Sequence, residues 1–162
     1  MSVRTANPED LKDFLVLWEE MFNEIDENFP KNDTKPTRNN MNFQKMIFDN
    51  YVKGFCKGVV LLWYPKDIDS PQGVMMVGEK LGPGDPVDLR WENPAFIHGI
   101  YIRPEYRKKA GWRSLHRAGK PYLLELGFTD VIGWVTAGNS DAFRMNVISG
   151  GEPCAILMER SI

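Results

Sequence analysis

The stretch that decides the fold is 97-IHGIYIRPEYRKKAGWRSL-115. Its apolar start predicts a strand, which runs into a basic turn and then into a helix. From Arg103 to Lys120 the chain carries seven Lys and Arg residues and one acid, Glu105, although its formal net charge is -2. The first turn of a helix offers unpaired N–H groups and a partial positive charge, so basic residues placed there favour a bound anion. We therefore expect a phosphorylated ligand.

The order of motifs in this stretch is specific. The strand Ile100-Tyr101-Ile102 is followed by the turn Pro104-Glu105-Tyr106-Arg107 and by the run Arg107-Lys108-Lys109-Ala110-Gly111-Trp112. The stretch resembles the acyl-CoA-binding segment of GCN5-related N-acetyltransferases, in which an apolar strand and Pro-x-Tyr-Arg precede Arg/Gln-x-x-Gly-x-Gly/Ala. The arginine matches, whereas Ala110 and Trp112 replace the two motif glycines.

The resemblance extends over most of the chain and is strongest from residue 97 to residue 150. Gly127-Phe128 and the following segment 129–135 resemble the link from the family's helix to its next strand. The segment 139–146, followed by Gly150, resembles its Asn-x-x-Ala segment and the glycine after that helix.

The remaining elements follow from residue periodicity and helix caps. Asn7 and Pro8 predict the start of a first helix, whose apolar face includes Phe14, Trp18 and Met21. A Pro- and Asn-rich loop over 30–40 precedes a second helix, in which Phe43, Met46, Ile47 and Tyr51 align. Further predicted elements are a hairpin of strands 57–64 and 74–77, a long connection over 82–94, a strand over 95–102, a helix over 111–126 that Pro121 kinks or divides in two, a strand over 131–135, a helix from Asn139 or Ser140 to about Ile148, and a strand over 154–158.

The fold that the resemblance implies is α/β (α+β). Its central sheet is mixed and mostly antiparallel, with splayed parallel strands in the middle and helices on both faces. We expect one domain over residues 1–162, because the length and composition are those of a single globular domain.

The resemblance also implies the ligand and the residues that hold it. Acetyl-CoA would enter between the splayed strands as the acyl donor, and its pantetheine would bind the edge formed by Ile100, Tyr101 and Ile102. The pyrophosphate would be enclosed by residues 107–112, with Arg103, Lys108, Lys109 or Arg113 meeting the nucleotide phosphates and Asn139 near the pantetheine. The coenzyme-binding residues implied are Ile100, Tyr101, Ile102, Arg107, Lys108, Lys109, Ala110, Gly111, Trp112, Arg113 and Asn139.

The family reaction is direct attack of an amine on the thioester, which requires a base and an acid but no metal. His98 is the candidate base, because imidazole titrates near neutral pH and strand alternation places it on the same side as Ile100 and Ile102. A hydrogen-bonded structural histidine is an equal alternative. Many family members carry a tyrosine as the acid where this chain has Asn146. An amide is no proton donor of use, so Tyr101, Tyr106 or a water is left for that role, with Tyr101 as the candidate.

The composition also limits which other classes of function are compatible with the sequence. Cys56 and Cys154, with His98 and His116, have no metal-ligand spacing. The sequence has no leader pattern and no apolar run of about 18 residues, so we expect a soluble, cytoplasmic protein with no membrane contact. The amine acceptor is unidentified, and a homodimer is compatible with the sequence.

Three functions from different classes remain open. The first is an acyl-CoA-dependent N-acetyltransferase. The second is the same fold without catalysis, as a binding or structural module, which Trp112 and Asn146 favour. The third is nucleic-acid binding through the basic stretch 103–120 with its aromatic neighbours, which ranks last because the net charge is acidic.

Overall fold

The computed structural model describes residues 2–28, 41–79, 93–107, 110–133, 135 and 139–148. In these residues the strands are β1 (Ser2–Thr5), β2 (Gly58–Tyr64), β3 (Gly73–Gly78), β4 (Pro94–Ile102) and β5 (Asp130–Gly133). The α-helices are α1 (Leu11–Asn28), α2 (Met41–Val52), α3 (Gly111–Glu125) and α4 (Ser140–Ile148). Short 3-10 helices cover Pro8–Asp10 and Pro104–Tyr106.

The strands form one sheet in the order β1-β2-β3-β4-β5. The first three pairings are antiparallel, and β4 pairs with β5 in parallel. In the described residues the parallel pairing runs from Pro94 with Asp130 to Ile97 with Gly133, and residue 134 lies outside them. The predicted mixed, mostly antiparallel sheet with a parallel pair is therefore confirmed, whereas the splaying of the parallel strands stays a prediction.

Helices cover both faces of the sheet, because successive side chains of each strand point to opposite sides. On one face α1 and α2 bury Phe14, Trp18 and Phe48 against Val60 and Leu62 of β2. On the other face α3 buries Leu115 and Leu123 against the alternate β2 residues Val59, Leu61 and Trp63. Two apolar layers thus enclose the sheet, as the resemblance implied.

The start of α1 is fixed by a reciprocal cap. The side chain of Asn7 accepts a hydrogen bond from Glu9 N–H at 2.9 Å, and Asp10 accepts one from Asn7 N–H at 2.8 Å. Arg4 of β1 donates two hydrogen bonds to Asp10, both at 2.6 Å. These bonds favour the ionised carboxylate and hold the pKa of Asp10 below its ordinary value. The predicted N-cap is confirmed, and it also ties the helix to the sheet.

Two expectations about the helices are corrected. Of the two alternatives for the segment around Pro121, the division into two helices is wrong, because residues 111–125 form a single helix with Pro121 inside it. Pro121 is exposed, so the carbonyl that loses its helical partner there can be hydrated. Met46 does not join the buried face of α2, since its side chain is 48% exposed. The predicted strand 154–158, the loop 30–40 and most of the connection 82–94 lie outside the described residues.

Candidate active site

A β-bulge in β4 sets the direction of the candidate base. Met76 of β3 pairs with Gly99 while Val77 pairs with Ile97, so His98 is the extra residue on its strand. Ile97, Ile100 and Ile102 pack on the α3 face. A side chain at Gly99 would meet Trp18 of α1, and His98 contacts Tyr51 of α2. The prediction that His98 lies on the same side as Ile100 and Ile102 is therefore wrong, because the bulge breaks the alternation.

The imidazole of His98 lies in a polar cluster between α2 and the sheet. Its Nε2 is 2.7 Å from the Tyr51 hydroxyl and 2.9 Å from the carbonyl oxygen of Glu79. The Tyr51 hydroxyl also donates a hydrogen bond to that carbonyl. Burial is the main cause that raises the pKa of Tyr51 above its ordinary value, with the charges of Cys56 and Glu79 adding to it. The phenol is therefore a neutral partner for the imidazole at physiological pH.

The candidate acid, Tyr101, is buried on the opposite face of β4 from Ile100 and Ile102, at 7% exposure. Its pKa is raised to about 12, chiefly by burial; the charges of Glu24 and Glu20 contribute to the rise, and those of Arg107 and Arg103 oppose it. The phenol therefore keeps its proton at neutral pH, which is the state that an acid catalyst requires.

The arginines on either side of the Pro104–Tyr106 turn contact α1. Arg103 donates two hydrogen bonds to Glu20, at 2.8 and 2.6 Å, and one to Gln72 at 2.7 Å. Arg107 donates to the Ile102 carbonyl at 2.9 Å and to Glu24 at 2.5 Å. Both guanidinium groups would have to leave these partners before they could meet a phosphate. Glu20 and Glu24 of α1 are thus the partners of the arginines of the basic turn.

Ala110 directly precedes α3. Its backbone has a left-handed conformation, with φ 61° and ψ 12°. The first backbone hydrogen bond of the helix runs from Ser114 N–H to Ala110 O, so the N–H groups of Gly111, Trp112 and Arg113 have no acceptor within the helix. Gly111 lets the helix approach the sheet, because a side chain there would meet Ile102 at 2.6 Å and Trp63 at 3.1 Å. The start of α3 therefore packs closely against the sheet, and its first three backbone N–H groups are potential hydrogen-bond donors.

Replacing Ala110 with glycine is expected to stabilise the protein by about 0.5–1 kcal/mol. A left-handed conformation costs an L-residue about 1–2 kcal/mol, and the larger entropy of glycine in the unfolded chain offsets part of that gain. Urea unfolding measures the change. Ala118→Gly in the middle of α3 is the matched control and should destabilise by about 1 kcal/mol. Loss of stability in Ala110→Gly would contradict the left-handed geometry.

The remaining predicted coenzyme residues have different surroundings. Trp112 is half-buried and packs against the α3-side core, and its ring centroid lies 5.0 Å from that of His116. His116 is half-buried, and burial lowers its pKa. Arg113 is exposed on the first turn of α3. Lys108 and Lys109 lie outside the described residues.

Asn139 is the N-cap of α4, as one of the two predicted alternatives. Its side-chain oxygen accepts a hydrogen bond from Ala142 N–H at 3.0 Å. Asn146, at the place where many family members have tyrosine, donates to the Ala142 carbonyl at 2.9 Å. Both amides are therefore engaged within their own helix.

Sequence reasoning missed Tyr51, Glu79 and the partners of the two arginines. Tyr51 was read only as part of an apolar helix face, and the Glu79 contact is made by a backbone carbonyl, which has no sequence signal. Among the described residues no group of His, Cys, Asp and Glu has the arrangement of a metal site. The described helices include none with the length and apolar character needed to span a bilayer.

No protein-family model matches the chain, and no curated protein matches it either. Several solved structures do match over almost the whole of both chains. A mutant of the BH1408 protein of Bacillus halodurans has a TM-score of 0.77 at 16% identity, with 100% of this chain and 99% of that one covered. The aminoglycoside 6'-N-acetyltransferase AAC(6')-Ig of Acinetobacter haemolyticus has a TM-score of 0.69 at 15% identity, with 100% and 98% covered.

A third similar structure is the aminoglycoside N-acetyltransferase AAC(6')-Iy in complex with CoA. It has a TM-score of 0.68 at 11% identity, and 99% of each chain is covered. At such identities the likeness concerns the fold. Together with the mixed, mostly antiparallel sheet, it confirms the fold class expected from the resemblance. The chain has the acyl-CoA N-acyltransferase fold of the GCN5-related N-acetyltransferases.

Proposed function

We propose that this protein transfers an acyl group, in the first instance acetyl, from coenzyme A to an amine. The observation that carries the proposal is the unit of strand, turn and helix in which β4 leads through the Pro104–Tyr106 turn to the N-terminus of α3, within a fold shared with a CoA-bound structure. Backbone groups on the outer edge of β4 and donors at the helix start then lie along one path. An acyl-CoA has the matching parts, namely an extended amide-bearing pantetheine and a pyrophosphate.

In this proposal the binding of acyl-CoA is divided between backbone and side chains. The edge of Ile100 to Ile102 would hydrogen-bond the pantetheine, although the Ile102 carbonyl already accepts from Arg107. The N–H groups of Gly111 and its two successors would bind the pyrophosphate. With Arg103 and Arg107 engaged by α1, the side-chain charge for the phosphates falls to Lys108, Lys109 and Arg113.

The reaction needs two proton transfers around one acyl transfer. The amine nitrogen attacks the thioester carbonyl, forming the C–N bond, and its proton passes to His98. The C–S bond then breaks, and the CoA thiolate takes a proton from Tyr101. Tyr101 carries its proton at neutral pH, as an acid must, but its raised pKa makes it a weaker acid than an ordinary tyrosine. Aminoglycoside acetyltransferases among the similar structures support an amine as the acceptor.

Calorimetric titration with acetyl-CoA and with free CoA is the first test. We expect micromolar binding of both ligands, weakened about tenfold or more in the Lys109→Ala/Arg113→Ala variant, because each charge-assisted contact with a phosphate contributes about 1.4 kcal/mol or more. Arg117→Ala/Lys120→Ala removes the same charge further along α3 and should bind within about twofold of the parent.

Two results would contradict the proposal. If neither ligand binds, the coenzyme site is absent, and the alternative of a non-catalytic binding or structural module takes its place. If both double variants lose affinity equally, the binding reflects the overall basic charge of α3. A steep loss with salt, together with binding to nucleic acid, would then favour the nucleic-acid alternative.

A further inference from the structure

The sheet contains a slot for the ring of Tyr51. Gly58 of β2 and Gly78 of β3 are paired across the two strands. A Cβ atom at Gly58 would lie 2.1 Å from Cε1 of Tyr51. One at Gly78 would lie 2.7 Å from the same atom and 2.4 Å from Cα of Gly58. These distances are far below any van der Waals contact. The ring of Tyr51 therefore fills the space that a side chain at Gly58 would take and part of the space at Gly78, and this contact fixes its position.

The slot directs the Tyr51 hydroxyl to the two polar atoms described above, Nε2 of His98 and the Glu79 carbonyl oxygen. These three atoms lie within hydrogen-bond reach of one another. The His98 ring is also held from the side, since the ring centroids of Tyr51 and Phe96 lie 5.7 and 5.3 Å from its own. Position and rotation of the imidazole are thus both restrained.

The positions of the protons follow from the three contacts. A carbonyl oxygen only accepts, so the contact of 2.9 Å between it and Nε2 requires a proton on Nε2. The phenol donates to the same carbonyl and can accept from Nε2–H with its own oxygen. If Nε2 were unprotonated, two lone pairs would face each other at this distance. All three contacts are satisfied only when Nε2 carries the proton.

We propose that Tyr51 is the positioning residue of His98, and that with the Glu79 carbonyl it fixes the imidazole and keeps a proton on Nε2. The part of this inference that concerns catalysis rests on the proposed function. In that function, a fixed orientation of the imidazole favours transfer of the amine proton to His98. The tautomer itself is a property of the folded chain and needs no substrate.

Nitrogen-15 NMR of the imidazole tests the tautomer without any activity measurement. The chain has two histidines, so the His116→Gln variant leaves His98 as the sole imidazole. At a pH where His98 is neutral, we expect Nδ1 to resonate at the position of an unprotonated nitrogen and Nε2 at that of a protonated one. The opposite assignment would overturn the inference while leaving the proposed transferase function intact.

Two variants test the role of Tyr51. Tyr51→Phe keeps the ring in its slot and removes the hydroxyl, and Gly58→Ala keeps the hydroxyl and displaces the ring. In both, the two nitrogen signals should move towards each other, because the tautomers become mixed. We also expect kcat to fall about 10- to 100-fold with an unchanged KM for acetyl-CoA. Tyr122→Phe removes the hydroxyl of a partly exposed tyrosine on α3 and serves as the matched control.

The outcomes separate the inference from the proposed function. Unchanged nitrogen shifts and kcat in Tyr51→Phe would show that the tyrosine only packs against the sheet. Changed shifts in a protein that transfers no acyl group would sustain the positioning role and reject the transferase. A rise in KM with an unchanged kcat would place Tyr51 in substrate binding and overturn the inference.

Discussion

Replacing His98 with glutamine is expected to lower kcat for acyl transfer by about 10²- to 10⁴-fold, which is the usual contribution of a positioned general base. Glutamine has a similar size and hydrogen-bonding capacity but no basic nitrogen. The Kd for acetyl-CoA should stay within about twofold, because His98 points to the α1 and α2 face while the pantetheine edge is backbone. Steady-state kinetics over a range of pH, with calorimetry for binding, measure both effects.

His116→Gln is the matched control for this prediction, since it removes the other imidazole of the chain. It should keep kcat within about twofold, because His116 packs against Trp112 on α3 and has no part in the proposed proton transfer. If His98→Gln retained the parental kcat and pH profile, His98 would be the structural histidine that the sequence left as an equal alternative.

Replacing Trp63 with alanine is expected to destabilise the fold by about 3–5 kcal/mol, the range for loss of a large aromatic side chain from a core. Trp63 is 0% exposed. The first residue of α3, Gly111, rests on its ring, and Tyr106 packs edge-on against it at a centroid distance of 6.1 Å. The cavity left by the indole would therefore lie beneath both the Pro104–Tyr106 turn and the start of α3. Urea unfolding at neutral pH measures the change.

Trp63→Phe is the control for this prediction. It keeps one aromatic ring, and the lost indole N–H is buried without a hydrogen-bond partner in the described part of the chain, so no bond is broken. We expect less than half of the alanine effect. A cost below about 1 kcal/mol for Trp63→Ala would mean that neighbouring side chains collapse into the space. It would also mean that the helix start does not depend on Trp63.

The features that the sequence predicted correctly have local causes. Asn7 caps a 3-10 turn that continues directly into α1, and Asn139 caps α4, because the capping oxygen and its N–H partner lie within three residues of each other. The strand, turn and helix from Ile97 to Leu115 follow from periodicity and from Pro104. The mixed, mostly antiparallel sheet then followed from the resemblance, which these local elements made recognisable.

The features that were missed depend on residues distant in the chain. The bulge at His98 exists only in relation to the register of β3, and without that register strand alternation gives the wrong face. The ion pairs of Arg103 with Glu20 and of Arg107 with Glu24 form only after α1 has packed on the sheet. Tyr51 looked like a core residue because its hydroxyl partners lie on β4 and after β3.

The slot of Gly58 and Gly78 has a consequence for tracing the relatives of this protein. The slot depends on two glycines, which have no side chains. A search for catalytic residue types therefore does not detect it. A protein of the same fold with larger residues at both places has no room for the tyrosine ring beside its histidine. Glycine at both strand positions, with tyrosine on the second helix and histidine in the bulge, is thus a four-residue signature. Such a signature can divide distant sequences into those that share the arrangement of tyrosine beside histidine and those that share the fold alone.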